Sequence, residues 1–190
     1  EWREVSPRLF ASTGLYTRIN AKSFMPDRFF VLFNGRQQRM GRPSKGKKEP
    51  FRKPETLKPE EWTFVPESKT FYIRLPAGVK PAEAKVEIPC RSNGVGVYGN
   101  GTSNIVIRNI HTRHFINDGF NIHNNVKAVR FENISSFENG DDGFSAHEAS
   151  ETEVENFRSV GNTTGICNIN EAVCRMRNVF IADNAGFDFF

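Results

Sequence analysis

The chain has 190 residues, of which 37% are hydrophobic and 25% are charged, and its formal net charge is +4. No stretch approaches 18 consecutive apolar residues, so the sequence predicts no transmembrane helix. Its three cysteines are an odd number and do not make a disulfide framework.

Charge is divided unevenly along the chain. Residues 1–90 hold 18 Lys and Arg against 10 Asp and Glu, whereas residues 91–190 hold 8 against 12. Such asymmetry indicates two surfaces with different partners. We predict two domains with a boundary near residue 90.

The first 90 residues predict an antiparallel, β-rich module that does not repeat. Phe29–Phe33 leads into Asn34-Gly35, the strongest short hairpin signal, and Arg36–Met40 follows as the return strand. A second hairpin is predicted from Trp62–Val65 and Thr70–Leu75, which alternate in strand period around a four-residue turn.

A basic, proline-rich segment interrupts this module between residues 36 and 59. One interpretation is a solvated loop. The alternative is an electrostatic clamp for an acidic polymer such as a uronate or sulfated glycan. Aromatic residues do not alternate with these charges, so we predict no nucleic-acid partner and, with no apolar span, no membrane partner.

The C-terminal half contains a repeat of about 22–24 residues marked by two asparagine series. The first follows a charged residue and precedes an apolar one, and comprises Asn109, Asn133, Asn156 and Asn178. The second closes each copy before a glycine-containing turn, and comprises Asn117, Asn139, Asn162 and Asn184. A repeat of this period predicts stacked structural units.

Between the asparagines the apolar residues lie two apart, which is strand period, and each copy has room for about three short strands. A single coil cannot bury its own apolar face, so the copies must stack with equivalent residues about 4.8 Å apart. Each asparagine series then forms a column in which amides bond between coils. The phenylalanines predict a core of stacked rings, with Cys167 taking the place of Phe120 and Phe144 as a buried thiol.

This pattern resembles the right-handed parallel β-helix of the pectate-lyase-like superfamily over residues 92–190. A globular β-sandwich with chance asparagine spacing is the alternative. The predicted fold is therefore all-β, a right-handed parallel β-helix after a small antiparallel module. Because Phe187 and Phe189 begin a new strand, we expect the helix to continue in a longer chain or to be capped by a partner. The resemblance implies a secreted or periplasmic protein.

Aligning the copies places polar residues at both ends of one strand per coil. Its exit carries an outward column formed by Tyr98, His123, His147 and Asn170, followed one residue later by Asn124, Glu148 and Glu171. Aspartates stand at its entrance in two neighbouring coils. We predict a polysaccharide, either acidic or neutral, as partner, bound by Tyr98, Asn121, His123, Ser145, Asn170 and Glu171.

A second resemblance concerns those aspartates. Asn117–Phe120 and Gly140–Gly143 are similar to the paired motifs of polygalacturonase-type glycoside hydrolases. The resemblance implies that Asp118, Asp141 and Asp142 hold the catalytic water and protonate the leaving oxygen. That family's Gly-His-Gly is replaced in the next coil by Thr163–Gly165.

Glycoside hydrolysis needs two carboxylates on either side of the scissile bond. The predicted catalytic residues are Asp118, Asp141, Asp142, His147 and Glu148. We expect Asp118, Asp142, His147 and Glu148 to converge on one solvent-facing groove.

Two other functions stay open at this point. Hard oxygen ligands would allow a Ca²⁺ site at Asn139, Asp141, Asp142 and Glu148, as in a calcium-dependent polysaccharide lyase; no other cofactor is predicted. Alternatively, Asp-Gly is ordinary turn chemistry, in which glycine supplies a positive φ, and the β-helix binds glycans or a surface without catalysis.

Overall fold

A computed structural model describes residues 1–19, 28–39 and 51–190. The chain forms two compact units, the first ending at Arg91 and the second beginning at Ser92. Regular structure in the described residues is all β apart from two short 3-10 turns. No helix among them is long and apolar enough to cross a membrane.

The first unit contains a four-stranded antiparallel sheet and a separate hairpin. The strands are β1 Arg3–Ser6, β2 Leu9–Ser12, β3 Phe30–Phe33, β4 Arg36–Arg39, β5 Glu61–Val65 and β6 Thr70–Arg74. The sheet has the order β1-β2-β6-β5, and β3 pairs with β4. Both predicted hairpins, β3-β4 and β5-β6, are confirmed as antiparallel pairs.

The β3-β4 turn and the aromatic core follow from the sequence. Asn34 and Gly35 both adopt positive φ values, 51° and 75°, as a two-residue turn matching the strand twist requires. Trp62 and Phe71 are fully buried, and Phe29 packs on both rings. Large buried rings stabilise a small unit because each removes extensive apolar area from water.

The predicted basic segment lies partly outside the described residues, which omit 40–50. In the described part, Arg36 pairs with Glu60 at 2.5 Å and Arg52 with Glu61 at 2.7 Å. These four residues all belong to the first unit. The two arginines therefore have acidic partners within their own module, and the clamp interpretation stays a prediction.

The second unit is a parallel β-solenoid of about four turns, which confirms the predicted fold class. Its first sheet contains β7 Val95–Val97, β10 Phe120–Ile122, β12 Asp142–Ala146, β14 Thr164–Asn168 and β16 Phe187–Phe189. Its second sheet contains β8 Ser103–Arg108, β9 His111–Arg113, β11 Lys127–Phe137, β13 Glu151–Val160 and β15 Val173–Ala182. All pairs in both sheets are parallel.

Phenylalanines fill the solenoid core, but they do not form the predicted stacks of flat rings. The Phe131 ring meets those of Phe120 and Phe144 at interplanar angles of 80° and 86°. Phe120 and Phe144, which are neighbours along the first sheet, are tilted by 31° with centroids 6.2 Å apart. Rings from the two sheets therefore meet edge to face, which their quadrupoles favour over parallel sandwiches.

The first asparagine column is confirmed. Each side-chain amide donates to the side-chain oxygen of the asparagine in the preceding coil: Asn133 to Asn109 at 3.3 Å, Asn156 to Asn133 at 2.8 Å and Asn178 to Asn156 at 2.6 Å. All four residues have φ between 53° and 57°. Asparagine tolerates this left-handed conformation better than most residues, so the column forms a bend in each coil of the second sheet.

The second asparagine column is correct for three members and wrong for Asn117. Asn139, Asn162 and Asn184 each accept, through the side-chain oxygen, the backbone N–H of the equivalent residue one coil earlier. For Asn139 that residue is Phe115, two positions before Asn117. Asn117 instead donates to the side-chain oxygen of Asn93 at 3.0 Å. The first copy has Phe115 at the position of the column and not an asparagine. The alignment of the repeats had selected Asn117, two residues later.

Candidate functional site

The register of the first solenoid sheet decides which residues are neighbours. Phe120 pairs with Val95 and Phe144, and Phe144 pairs with Ile166. These positions are 25, 24 and 22 residues apart, so the coils differ in length. Because parallel partners point to the same side of a sheet, the residue after each of them joins one outward column, formed by Gly96, Asn121, Ser145 and Cys167.

That register corrects the prediction for Cys167. It is fully buried, as expected, but it pairs with Ser145 and not with Phe144. The core position of that coil belongs to Ile166. The error arose because the coil is two residues shorter than the one before it.

Three aspartates from two consecutive coils form a buried cluster. One carboxylate oxygen from each of Asp118, Asp141 and Asp142 lies within 4.8 Å of the others. The stacking of coils explains this proximity, because an Asp118 oxygen accepts the backbone N–H of Asp142 at 3.0 Å. Each aspartate is only 2% exposed. The structure therefore brings together the three acids, but not in the open groove that we predicted.

Asp118 has an unusual protonation equilibrium. Burial raises the pKa of its carboxyl well above the ordinary value, and the negative charges of Asp142 and then Asp141 raise it further. Hydrogen bonds from the Asn121 side chain and the Asp142 backbone oppose this rise in pKa only in part. Asn117 also donates to the same carboxyl at 2.9 Å. Asp118 therefore keeps its proton to a higher pH than an exposed aspartate.

Asp142 is connected to the sheet surface. Its carboxylate accepts the Ser145 hydroxyl at 2.8 Å, and the Ser145 oxygen lies 2.6 Å from Nε2 of His147. A hydroxyl has one proton to donate, so when Ser145 donates to Asp142, Nε2 of His147 must carry the proton of the second bond. The His147 tautomer that carries its proton on Nε2 is the one compatible with a Ser145 hydroxyl that donates to Asp142.

An aromatic column runs along the exit of the strands. The His123 and His147 rings are stacked at 4.1 Å with an interplanar angle of 11°. Tyr98 continues the stack, 5.8 Å from His123, and is 48% exposed. Tyr98, His123 and His147 thus occupy one column, as the sequence predicted, with their rings stacked on one another and Tyr98 exposed at its end.

Glycine at position 96 makes the Tyr98 orientation possible. A Cβ placed on Gly96 would lie 2.2 Å from the Tyr98 ring, so the ring occupies the space that a side chain would fill. The Tyr98 hydroxyl accepts a hydrogen bond from Asn93 at 2.9 Å. Burial raises the pKa of the Tyr98 phenol, and the nearby Asp118 charge raises it further against the effect of that hydrogen bond.

Glu148 lies at the edge of the aromatic column and outside the buried cluster. It accepts the backbone N–H of Asn124 at 2.7 Å and contacts Nδ1 of His123 at 3.1 Å. The Asn124 hydrogen bond is the main cause of a lowered Glu148 pKa, and contacts with His123 add to the effect. Glu148 is therefore an exposed, ionised partner of His123.

Asn170 and Glu171 do not continue the columns as predicted. Ile169 donates to the carbonyl of Ala146, just as His147 donates to that of Ile122, so the residue beside His147 is Ile169. Asn170 instead corresponds to Glu148, and both have left-handed φ values, 61° and 51°. The shorter coil again shifts the alignment by one residue.

The four predicted calcium ligands are not brought together as one set. Asn139 belongs to the second asparagine column and Glu148 bonds to His123 and Asn124. Among the described residues, the acidic group that offers converging oxygens is Asp118, Asp141 and Asp142. Carboxylate oxygens are ligands that Ca²⁺ and Mg²⁺ accept, so these three residues are the ones able to hold a hard cation.

Sequence reasoning missed the residues that support the cluster. Asn117 and Asn93 extend the hydrogen bonding around Asp118, and Asn121 and Ser145 are hydrogen-bond donors to the aspartates instead of open surface residues. One signal was available: Asp118–Asn121 and Asp142–Ser145 share the same three-residue spacing. Comparison with known proteins gave no match to a family model, a curated protein or a solved structure.

Proposed function

We propose that this protein is a carbohydrate-active β-helix that hydrolyses a polysaccharide through paired aspartates. The supporting observation is that Asp118, Asp141 and Asp142 have oxygens within 4.8 Å of one another beside a column of exposed rings. The similarity of their motifs to polygalacturonase-type hydrolases points in the same direction.

The two carboxylate roles follow from their surroundings. Hydrolysis needs one carboxyl that holds a proton for the leaving oxygen and one ionised carboxylate that acts as base or nucleophile. Asp118, whose pKa is raised by burial and neighbouring charge, suits the acid role. Asp142 accepts hydrogen bonds as a carboxylate does and suits the second role, with Asp141 as its neighbour. Close acids divide the two functions because their proton affinities move apart.

The aromatic column supports a saccharide as ligand. Tyr98, at the end of the ring stack, is 48% exposed, and a sugar ring offers a matching apolar face of C–H groups. Polar groups at the rim, including Glu148 and Asn124, would bond to hydroxyls. Since the column crosses successive coils, a polymer laid along it would contact several of them. We place such a protein outside the cytoplasm, where polysaccharides are encountered.

Burial of the aspartates favours a second candidate, a glycan-binding module without catalysis. Each aspartate is 2% exposed, so a glycosidic oxygen must displace covering groups to reach them. The exposed rings would still bind sugar in that case. A calcium-dependent lyase, with the cation at the three aspartates, is the remaining alternative. Its unsaturated product, which absorbs at 235 nm, distinguishes it from a hydrolase and from a binding module.

The test is a panel of acidic and neutral polysaccharides, with and without added Ca²⁺. New reducing ends without absorbance at 235 nm, lost in Asp142→Asn and kept in Glu153→Gln, would support hydrolysis. Glu153 is a suitable control because it undergoes the same change of charge on the exposed side of the second sheet. Absorbance at 235 nm would indicate a lyase, binding without products would indicate the module, and neither binding nor products would contradict all three.

A further inference from the structure

Lysine and arginine are distributed unevenly around the solenoid. Residues 92–190, all of which the structure describes, contain seven of them, and each belongs to a strand of the second sheet: one in β8, one in β9, two in β11, one in β13 and two in β15. The first-sheet strands and their flanking turns, residues 93–102, 115–125, 138–150 and 161–172, contain none. The face that carries the aromatic column therefore has no lysine or arginine of its own.

The same face carries acidic side chains. Glu148 lies at the edge of the aromatic column with its side chain 48% exposed, and Glu171 is exposed in the next coil. Asp118 and Asp142 are buried on the same side of the sheet, because side chains of the outward column donate to both. A surface with charges of one sign raises the local concentration of ligands of the opposite sign and repels ligands of its own.

The two cations that flank the coil segment 115–125 are already paired. Arg113 contacts Glu138 at 2.6 Å, and Lys127 contacts Glu151 at 2.7 Å. The stacked histidines of the column are the remaining basic groups of this face, and they lie beside the Glu148 carboxylate. A uronate or sulfate group laid along the column would thus meet acids without a lysine or arginine to bind it, which argues against the acidic polymer that the sequence left open.

We infer that the first-sheet face selects a positively charged saccharide, and that the substrate is a polymer of amino sugars with free ammonium groups. The inference rests on the proposed function, because it requires that the aromatic column binds sugar. A sugar chain stacked on Tyr98 and continuing across the coils brings its substituents to the rim, where ammonium groups meet Glu148 and Glu171. Electrostatic complementarity of this kind suppresses binding of the wrong ligand as well as favouring the right one.

Binding of matched oligosaccharides to the wild-type protein tests this inference, and amino-sugar polymers are added to the polysaccharide panel. Isothermal titration compares hexamers of glucosamine, galactosamine, their N-acetylated counterparts and galacturonic acid. Each amino hexamer shares its backbone with an uncharged partner, so the pair differs in charge. We expect one amino hexamer to bind at least about tenfold more tightly than its acetylated partner at low salt, and this advantage to shrink at high salt. The galacturonate hexamer should not bind.

Charge-removing variants locate the effect. Glu148→Gln and Glu171→Gln keep the shape of each side chain, and each should weaken binding of the amino hexamer by about threefold because an exposed ion pair is lost. Neither should change the affinity for the acetylated hexamer. Glu153→Gln makes the same substitution on the second sheet, is the matched control and should change neither affinity.

Equal affinities for the amino and acetylated hexamers, tighter binding of galacturonate, or no binding of either amino hexamer would overturn the inference, even if another polysaccharide is hydrolysed. Selective binding of an amino hexamer without new reducing ends would keep the inference and reject only hydrolysis.

Discussion

Strands β10 and β12 are neighbours in the first solenoid sheet, with paired backbones and matching outward positions. One presents Asp118, Asn121 and His123, and the other presents Asp142, Ser145 and His147. Asp118 is held by side-chain amides and its pKa is raised by burial, while Asp142 is joined to the surface through a hydroxyl. The two strands have matching backbones, but the donor to Asp118 is the Asn121 amide and the donor to Asp142 is the Ser145 hydroxyl.

The comparison shows how a solenoid builds a site. The repeated backbone fixes positions about one strand spacing apart, so each coil contributes one side chain to every column. Chemistry then depends on how neighbouring coils differ within a column. Variants of single residues therefore test whether β10 and β12 differ in this way.

The largest effect is expected for Asp142→Asn, which removes the proposed base from β12. Turnover should fall by about 10³-fold, while the melting temperature changes by no more than about 2 °C because the amide oxygen still accepts from Ser145. Reducing-end assays and thermal unfolding measure the two quantities, with Glu153→Gln as control. A large loss of stability with activity retained would show that Asp142 is structural.

Gly143→Ala should break the contact between coils that keeps β12 in place. A Cβ at this position would lie 2.0 Å from the Ser159 hydroxyl and 2.6 Å from the carbonyl oxygen of Gly165. We expect the free energy of unfolding to fall by about 3 kcal/mol, as in overpacked cores. Gly14→Ala meets no atom within 4 Å and should change it by less than about 1 kcal/mol. Equal effects of both variants would contradict this packing.

Asp118→Asn tests the protonation of the β10 acid through stability. A carboxyl with a raised pKa in the folded state contributes stability that is fully present below its unfolded pKa and is lost as pH rises through the folded pKa. The asparagine side chain does not titrate in this range, so the variant does not lose stability in this way as the pH rises. The free energy of unfolding of Asp118→Asn relative to wild type should therefore increase between pH 4 and pH 8. Urea unfolding across that range gives the difference, and a constant value would exclude a raised pKa.

The smallest effect is expected at the aromatic column that both strands share. Tyr98→Ala should weaken binding of a soluble oligosaccharide by up to about tenfold, since one ring contact is lost. Phe180→Ala removes an aromatic ring of similar exposure from the second sheet and should leave affinity unchanged. Isothermal titration would measure both, and similar losses would mean that the column does not bind sugar.

The asparagine repeat predicted much of the fold because each marker has a physical role. Asn109, Asn133, Asn156 and Asn178 adopt left-handed φ values and bond between coils, and few residues do both. The period therefore predicted parallel stacking directly. In the first unit, the Asn34-Gly35 signal worked for the same reason, since the turn needs positive φ twice.

The site was predicted less completely, because register depends on coil length. Ser145 pairs with Cys167, which is only 22 residues later in the sequence, so this coil is shorter than the one before it. The difference in length moves Cys167, Asn170 and Glu171 out of their predicted columns. Spacing alone does not show where a residue has been lost. The alternative interpretation of Asp-Gly, in which glycine supplies a positive φ, is wrong for Gly119 and Gly143: neither adopts it, and both are needed because a Cβ would clash with the next coil.

The most direct test is a carbon-13 NMR titration of Asp118 in the wild type and in Ser145→Ala. We predict that the Asp118 carboxyl titrates well above the ordinary aspartate range in both proteins, because burial and the neighbouring acids are unchanged. The Asp118 midpoint should not move on loss of the Ser145 hydroxyl, because that hydroxyl donates to Asp142 and not to Asp118. An ordinary midpoint for Asp118, or a midpoint that moves in Ser145→Ala, would contradict the distinction between β10 and β12.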